Sequence, residues 1–151
     1  MLLKSRAFEN NGVMPQQYTC QGGDISPPLS WQDIPEQAES FVLICDDPDA
    51  PHGWVHWVLY DIPVRVNSLP EALPGLELLS NGAYQGKNDF KRIGYGGPCP
   101  PQGCHRYFFK LYAIDKRLNM KPGATKPNVL EAMEGHILSE CELMGKYQKA
   151  N

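Results

Sequence analysis

"WVHWVLYDI" (54–62) is the stretch on which the fold turns. Branched and aromatic residues dominate it, and Gly53 and Pro63 bound it, a composition that favours a pleated strand over a helix. Alternation then predicts Trp54, His56 and Val58 on one face and Val55, Trp57 and Leu59 on the other. Outward from it, "SFVLICD" (40–46), "HRYFFKLYAI" (105–114) and "LLKSRAF" near the start have the same character, with weaker strand candidates at 76–80 and 140–147. Only "TKPNVLEAMEGHILSE" (125–140) has helical periodicity, Val129, Leu130, Met133, Ile137 and Leu138 forming one stripe. Asn128 and Glu131 have capping-box spacing there, and Thr125 with Pro127 in the first turn is an equally good start. Strands joined by long proline-rich connections, with one late α-helix, predict a mainly β fold. The expected architecture is an antiparallel β-sandwich of two sheets, Greek-key type, formed by a single domain over 1–151. A parallel α/β fold would need a helix between successive strands.

Composition narrows the function. A chain of 151 residues fits one hydrophobic core, and 42% hydrophobic with 21% charged residues suits a soluble globular protein. Net charge is −3 with no run of lysine or arginine, so nucleic acid is not an expected partner. No apolar stretch approaches the ~20 residues of a membrane span. "MLLKSRAFENNG" offers no apolar leader core or cleavage site, so no signal peptide and a cytoplasmic location are expected. The five cysteines (Cys20, Cys45, Cys99, Cys104 and Cys141) are odd in number and contain no CxxC pair, which predicts free thiols in a reducing compartment. Fourteen prolines and fourteen glycines point to structured loops, of which 9–30 and 81–104 are long enough to be functional.

Three kinds of chemistry compete. Asp47 follows one strand, His56 lies on the second, and His105 shares a face with Tyr107, Phe109 and Leu111 on the third; meeting strand ends would bring Asp47, His56 and His105 into one pocket. A metal site is the first option, since His52 and His56 have the spacing of one helical face. Pro51, Gly53, Trp54 and Trp57 argue for strand instead, and Cys99, Cys104 and His105 lack zinc-knuckle spacing, so neither metal nor cofactor is expected. A cysteine nucleophile is disfavoured because Cys104 and His105, as strand neighbours, point to opposite faces, and there is no GxSxG elbow. Anion capture is the third: "GYGG" followed by "PCPPQG" offers backbone N–H groups to curl around a phosphate or carboxylate.

Taken together, "DISPPLSW" (24–31), "DDPDAP" (46–51), "WVHWVLYDIP" (54–63), "GYGGPCPPQGCHRY" (94–107) and "EAMEGHIL" (131–138) resemble the phosphatidylethanolamine-binding protein family, also known as the Raf kinase inhibitor protein family, in its compact bacterial and archaeal branch. The resemblance implies a two-sheet β-sandwich with a small anion pocket at one edge. It puts Asp47, Asp49, Ala50, His56 and His105 in that pocket, Trp54 and Tyr107 in its aromatic wall, and Gly97 and Pro98 on its rim. His52 matches no pocket position and is a loop residue; His136 belongs to the helix motif with a packing or surface role. Longer members carry a further C-terminal helix near the pocket, which this chain is expected to lack.

Several supporting roles follow. Pro48 and Pro51 stiffen the acidic turn, and Arg106, opposite His105, is placed either to pair with Asp49 or to stand in solvent. Three roles are open for Asp47: accepting a hydrogen bond from a histidine, accepting one from the P–OH of a protonated ligand, or meeting an ethanolamine ammonium. Trp31 and Trp57 are expected in the core, Asn88 and Asp89 in a turn, and Cys99 in a structural or incidental role near the rim. The expected function is non-enzymatic binding of phosphate-like anions or phosphorylated head groups of the phosphoethanolamine type, with modulation of a protein partner as an added role. Two alternatives stay open: a small hydrolase or lyase using His56, His105 and Asp47, or a kinase- or protease-regulating protein with an unused pocket. Oligomeric state is left open.

Overall fold

The computed structural model describes residues 1–150. Its strands are β1 (Leu2–Lys4), β2 (Gly12–Val13), β3 (Leu29–Gln32), β4 (Ser40–Asp47), β5 (Trp54–Pro63), β6 (Ser68–Leu69), β7 (Tyr84–Gln85), β8 (His105–Ile114) and β9 (Ile137–Tyr147), with one α-helix, α1 (Lys126–Met133). Two unequal sheets form, β1-β3-β6 and β2-β9-β8-β4-β5-β7. The mainly β, two-sheet expectation holds. One pairing departs from it, because β2 runs parallel to β9.

β4 is buried at all eight positions, which explains its unbroken apolar run. Phe41, Leu43 and Cys45 pack with Leu3, Trp31 and Leu69 of the smaller sheet, while Val42 and Ile44 pack with Val129 and Met133 of α1. Trp31 and Trp57 both lie in the inter-sheet core, as expected. β8 alternates instead, with Tyr107, Phe109 and Leu111 buried and Phe108, Lys110 and Tyr112 half-exposed, so its outer face meets solvent.

Three sequence expectations need correction. The predicted helix ends at Met133: Thr125 caps it through Asn128, and Gly135 in the left-handed region (φ 82°) turns the chain. Ile137 and Leu138, assigned above to the helical stripe, open β9, where the long ladder with β8 outweighs local periodicity. Strand 140–147 is thus part of a major element, whereas 76–80 makes a single bridge, Leu78 to Tyr84, and "LLKSRAF" is extended only over Leu2–Lys4. The cysteines are not all free. Cys20 and Cys99 form a disulfide across 79 positions, leaving Cys45, Cys104 and Cys141 as thiols.

The alternation of β5 also breaks. Cys45 pairs with Trp57 but Asp46 pairs with Val55, so His56 is one residue more than the ladder needs. Trp54, opposite Asp47, then falls on the same side as Trp57, and Val55 packs towards α1. Trp54 and Val58 therefore do not share a face, contrary to the simple alternation. The bulge frees His56 from the α1 side and lets it join the inter-sheet end of the sandwich.

Candidate functional site

The turn between β4 and β5 is built by its own sequence. Asp47 Oδ1 accepts the Asp49 N–H at 2.8 Å, an Asx-type turn, and the Gly53 N–H donates to the Ala50 carbonyl at 2.8 Å. His52 (φ 62°) and Gly53 (φ 71°) take consecutive left-handed conformations to bring the chain back into β5. Asp46 and Asp47 point to opposite faces. Asp46 pairs with Lys126 at 2.5 Å and Lys110 at 3.4 Å on the helix side; Asp47, almost fully buried, enters a cavity at the inter-sheet end.

That cavity encloses about 270 Å³. Asp47, Ala50, Trp54, His56, His105 and Tyr107 line it, together with Pro51, Phe90, Cys99, Pro100 and Pro101. His105 Nδ1 donates to Asp47 Oδ2 at 2.6 Å, one of the roles the sequence left open for Asp47, and Nε2 faces the cavity side of the ring. His56 Nδ1 lies 2.6 Å from the Gly96 carbonyl, an acceptor, so Nδ1 carries the proton. Burial pushes the His56 imidazole below its ordinary 6.5, outweighing the Gly96 hydrogen bond and the Asp47 charge, which pull it up. His56 is therefore neutral near pH 7 and its Nε2 is an acceptor. Burial also pushes the Tyr107 phenol up, keeping it protonated as a hydrogen-bond group.

Among the described residues, neither lysine nor arginine lines the cavity. Arg106 is tied back to Asp49: Nη2 reaches Oδ1 at 2.8 Å, and Nε and the backbone N–H reach Oδ2 at 3.0 and 2.9 Å. The Arg106 guanidinium holds the Asp49 carboxyl at about 2. Asp49 thus braces the turn to β8 behind the cavity and does not line it. In the glycine-rich stretch read above as an anion nest, two of the N–H groups are committed within the protein. The Gly96 N–H donates to the His56 carbonyl at 2.9 Å and the Gly97 N–H to Asp24 Oδ1 at 2.7 Å, so both are already used. A Cβ at Gly97 would sit 2.3 Å from the Tyr18 carbonyl, which is why glycine stands there. Gly97 and Pro98 pass beside the wall, which is formed by the next three residues. Pro48 and His52 line a neighbouring groove, and Pro51 reaches the cavity itself. Among the described residues, no three His, Cys, Asp or Glu side chains cluster to hold a metal ion.

The model of the family described as phosphatidylethanolamine-binding protein matches residues 4–148. The chain belongs to that family. This phosphatidylethanolamine-binding protein relative is 53% identical over 150 residues to the UPF0098 protein of Methanothermobacter thermautotrophicus, covering 99% of both chains. It is 50% identical over 149 residues to the UPF0098 protein of Aquifex aeolicus, covering 96% of this chain and 86% of that one. Among solved structures, a Chlamydia trachomatis phosphatidylethanolamine-binding protein homologue matches with a TM-score of 0.90 at 44% identity, covering 98% of this chain and 97% of that one. Escherichia coli YbcL, described as a member of the mammalian family, matches with a TM-score of 0.90 at 30% identity over 98% of each chain.

Sequence reasoning missed Phe90, Pro100 and Pro101 and set Cys99 aside. Phe90 packs edge-on to Trp54 and His56, with ring centroids 5.5 and 5.4 Å apart. It is delivered by a curled loop in which buried Asn88 donates to the Gly94 carbonyl at 2.8 Å, and Asp89 accepts the Val55 N–H at 2.7 Å. Asn88 and Asp89 do form a turn, as read; the overlooked signal was the aromatic residue directly after it. No helix among the described residues is long and apolar enough to cross a membrane.

Proposed function

We propose that this family member is a one-domain, non-enzymatic binding module that takes small phosphate-like anions or phosphorylated head groups into the Asp47–His56–His105 cavity. One observation carries the reading: two histidines, each with Nδ1 committed to the protein, line one aromatic and proline-walled cavity with different partners. His56 Nε2 accepts a hydrogen bond from the ligand's O–H, and His105 Nε2, once protonated, donates to it beside the Asp47 carboxylate. That donor–acceptor pair suits an oxyanion that keeps one O–H, such as a phosphomonoester. It disfavours sulfate, which has no proton to give near neutral pH. Trp54, Phe90 and Tyr107 supply apolar contact for whatever the anion is attached to.

The test is a histidine-resolved NMR titration with inorganic phosphate and phosphoethanolamine between about pH 5.5 and 8, a range that spans the histidine pKa. Joint movement of the His56 and His105 resonances is expected, and silence of both refutes the reading. A second reading, a small hydrolase or lyase, is favoured by the same difference between the rings, since neutral His56 has the form of a general base and a protonated His105 that of an acid. Turnover of a phosphomonoester that His105→Ala abolishes without unfolding would establish it. The proposed compartment, the cytoplasm, has one observation against it: disulfides are rare in reducing compartments of mesophiles. Thiol trapping of the protein in intact cells decides the point.

A further inference from the structure

One wall of the cavity is held unlike the rest. The rim is anchored by hydrogen bonds as far as Pro98, whose carbonyl accepts the Cys20 N–H at 3.1 Å, and the chain is fixed again at His105, where β8 pairs with β9. Between them, among the described residues, 99–103 make no hydrogen bond. Two of those five positions are proline and have no N–H to give. Yet Cys99, Pro100 and Pro101 line the cavity. Their tether is the Cys20–Cys99 disulfide, whose Cys20 end is exposed on the 14–28 loop and whose Cys99 end is half-buried at the wall.

We propose that this disulfide is a redox latch: oxidised, it fixes the 99–103 wall and keeps the cavity shaped; reduced, it releases the wall and weakens binding. The second half rests on the anion-binding reading above. The first does not. The reductant is a small dithiol or a dithiol protein. Its thiolate attacks Cys20 Sγ, the S–S bond breaks, and Cys99 leaves as a thiolate that takes up a proton. The second thiol of the reductant then displaces Cys20, so two electrons pass to the protein disulfide and the reductant ends as a disulfide. Loss of pre-organisation at the wall lowers affinity without touching Asp47, His56 or His105.

The experiment compares air-oxidised protein with protein in dithiothreitol. Backbone ¹⁵N relaxation of Cys99, Gln102 and Gly103 is read without ligand, and inorganic phosphate is then titrated into each form. Order parameters are expected to fall from about 0.85 to below about 0.6 on reduction, and the phosphate Kd to rise roughly 3–10-fold by loss of pre-organisation. Both changes should reverse on reoxidation. The Cys20→Ser/Cys99→Ser double variant should match the reduced protein and ignore dithiothreitol, while Cys104→Ser should respond like the parent. Unchanged order parameters, or five free thiols by mass spectrometry in air-oxidised protein, overturn the latch. Wall mobility that changes while phosphate binds neither form supports the latch and refutes the anion reading. Mobility that changes with equal phosphate affinity in both forms overturns the control of binding.

Discussion

Asp47→Asn tests the electrostatic logic of the cavity. Asp47 accepts twice, from His105 Nδ1 at 2.6 Å through Oδ2 and from the Asp49 N–H at 2.8 Å through Oδ1. Asparagine has the same shape but only one acceptor. If its amide oxygen keeps His105, the amide NH₂ faces the Asp49 N–H, donor against donor. If the oxygen keeps Asp49, the NH₂ faces His105 and forces the ring proton from Nδ1 to Nε2. A charge-assisted hydrogen bond contributes ~1.5–3 kcal/mol, and both groups are largely buried, so the cost is expected to be about 2 kcal/mol. For a chain of this size that corresponds to a drop of about 4–8 °C in Tm. Urea unfolding at pH 7 gives the energy, and long-range ¹⁵N–¹H spectra of the imidazole give the tautomer. The expected result is a lower urea midpoint together with an Nε2–H tautomer at His105. An unchanged midpoint with the Nδ1–H tautomer retained would refute the pairing.

Asp49→Ala should cost about 1 kcal/mol, since the pair with Arg106 is bidentate but half-exposed and screened; the loss should shrink in molar salt, and an unchanged urea midpoint would contradict the brace. Because the Asp49 carboxyl is lowered from 3.8 to about 2, its contribution is present above 3.8 and lost as pH falls towards 2, which acid titration of wild type against Asp49→Ala measures. For His56 the folded imidazole is lowered by burial, so below about pH 6.5 the unfolded chain takes up the proton first. Its contribution is full above that pH and falls away as pH drops through the depressed folded value; His56→Gln should flatten this slope in stability against pH, and an unaltered slope counts against a neutral buried ring. Phosphate and phosphoethanolamine should bind more tightly than sulfate by calorimetry, and equal affinities would remove the role assigned to His56 Nε2 as acceptor.

Asp47, His105 and Tyr107 were legible because they lie on regular strands, where a period of two fixes their face once the core is known. The brace from Asp49 to Arg106 was legible as a possible pair of opposite charges on meeting segments, though only the fold chose pairing over solvent. Phe90 was not, since nothing local says that the loop after Asn88 curls back over β5. The disulfide was hidden for a related reason: a separation of 79 residues is set by the docking of two loops, and an odd cysteine count argued for free thiols. The helix was overextended because the heptad-like stripe through Leu138 is real, but it competes with a strand whose partner lies some thirty residues earlier in the chain, a long-range ladder that local periodicity cannot see.

The bulge in β5 makes His56 a removable part. Its neighbours Val55 and Trp57 are opposite Asp46 and Cys45, which are adjacent in β4, so without His56 the ladder would run in register from Asp47 as far as Leu43, where a second shift lies. Deleting the residue outright, rather than replacing it, is the change that leaves Trp54, Val55 and Trp57 on the faces they now occupy, with the core frame from Trp57 onward untouched. A chain one residue shorter would keep its strand register and its Asp47–His105 pair while losing the neutral ring, its two hydrogen bonds to Gly96 and its edge contacts with Phe90 and Tyr107. For an engineer this is a cavity from which one reactive group can be subtracted without reprogramming the strand that carries it.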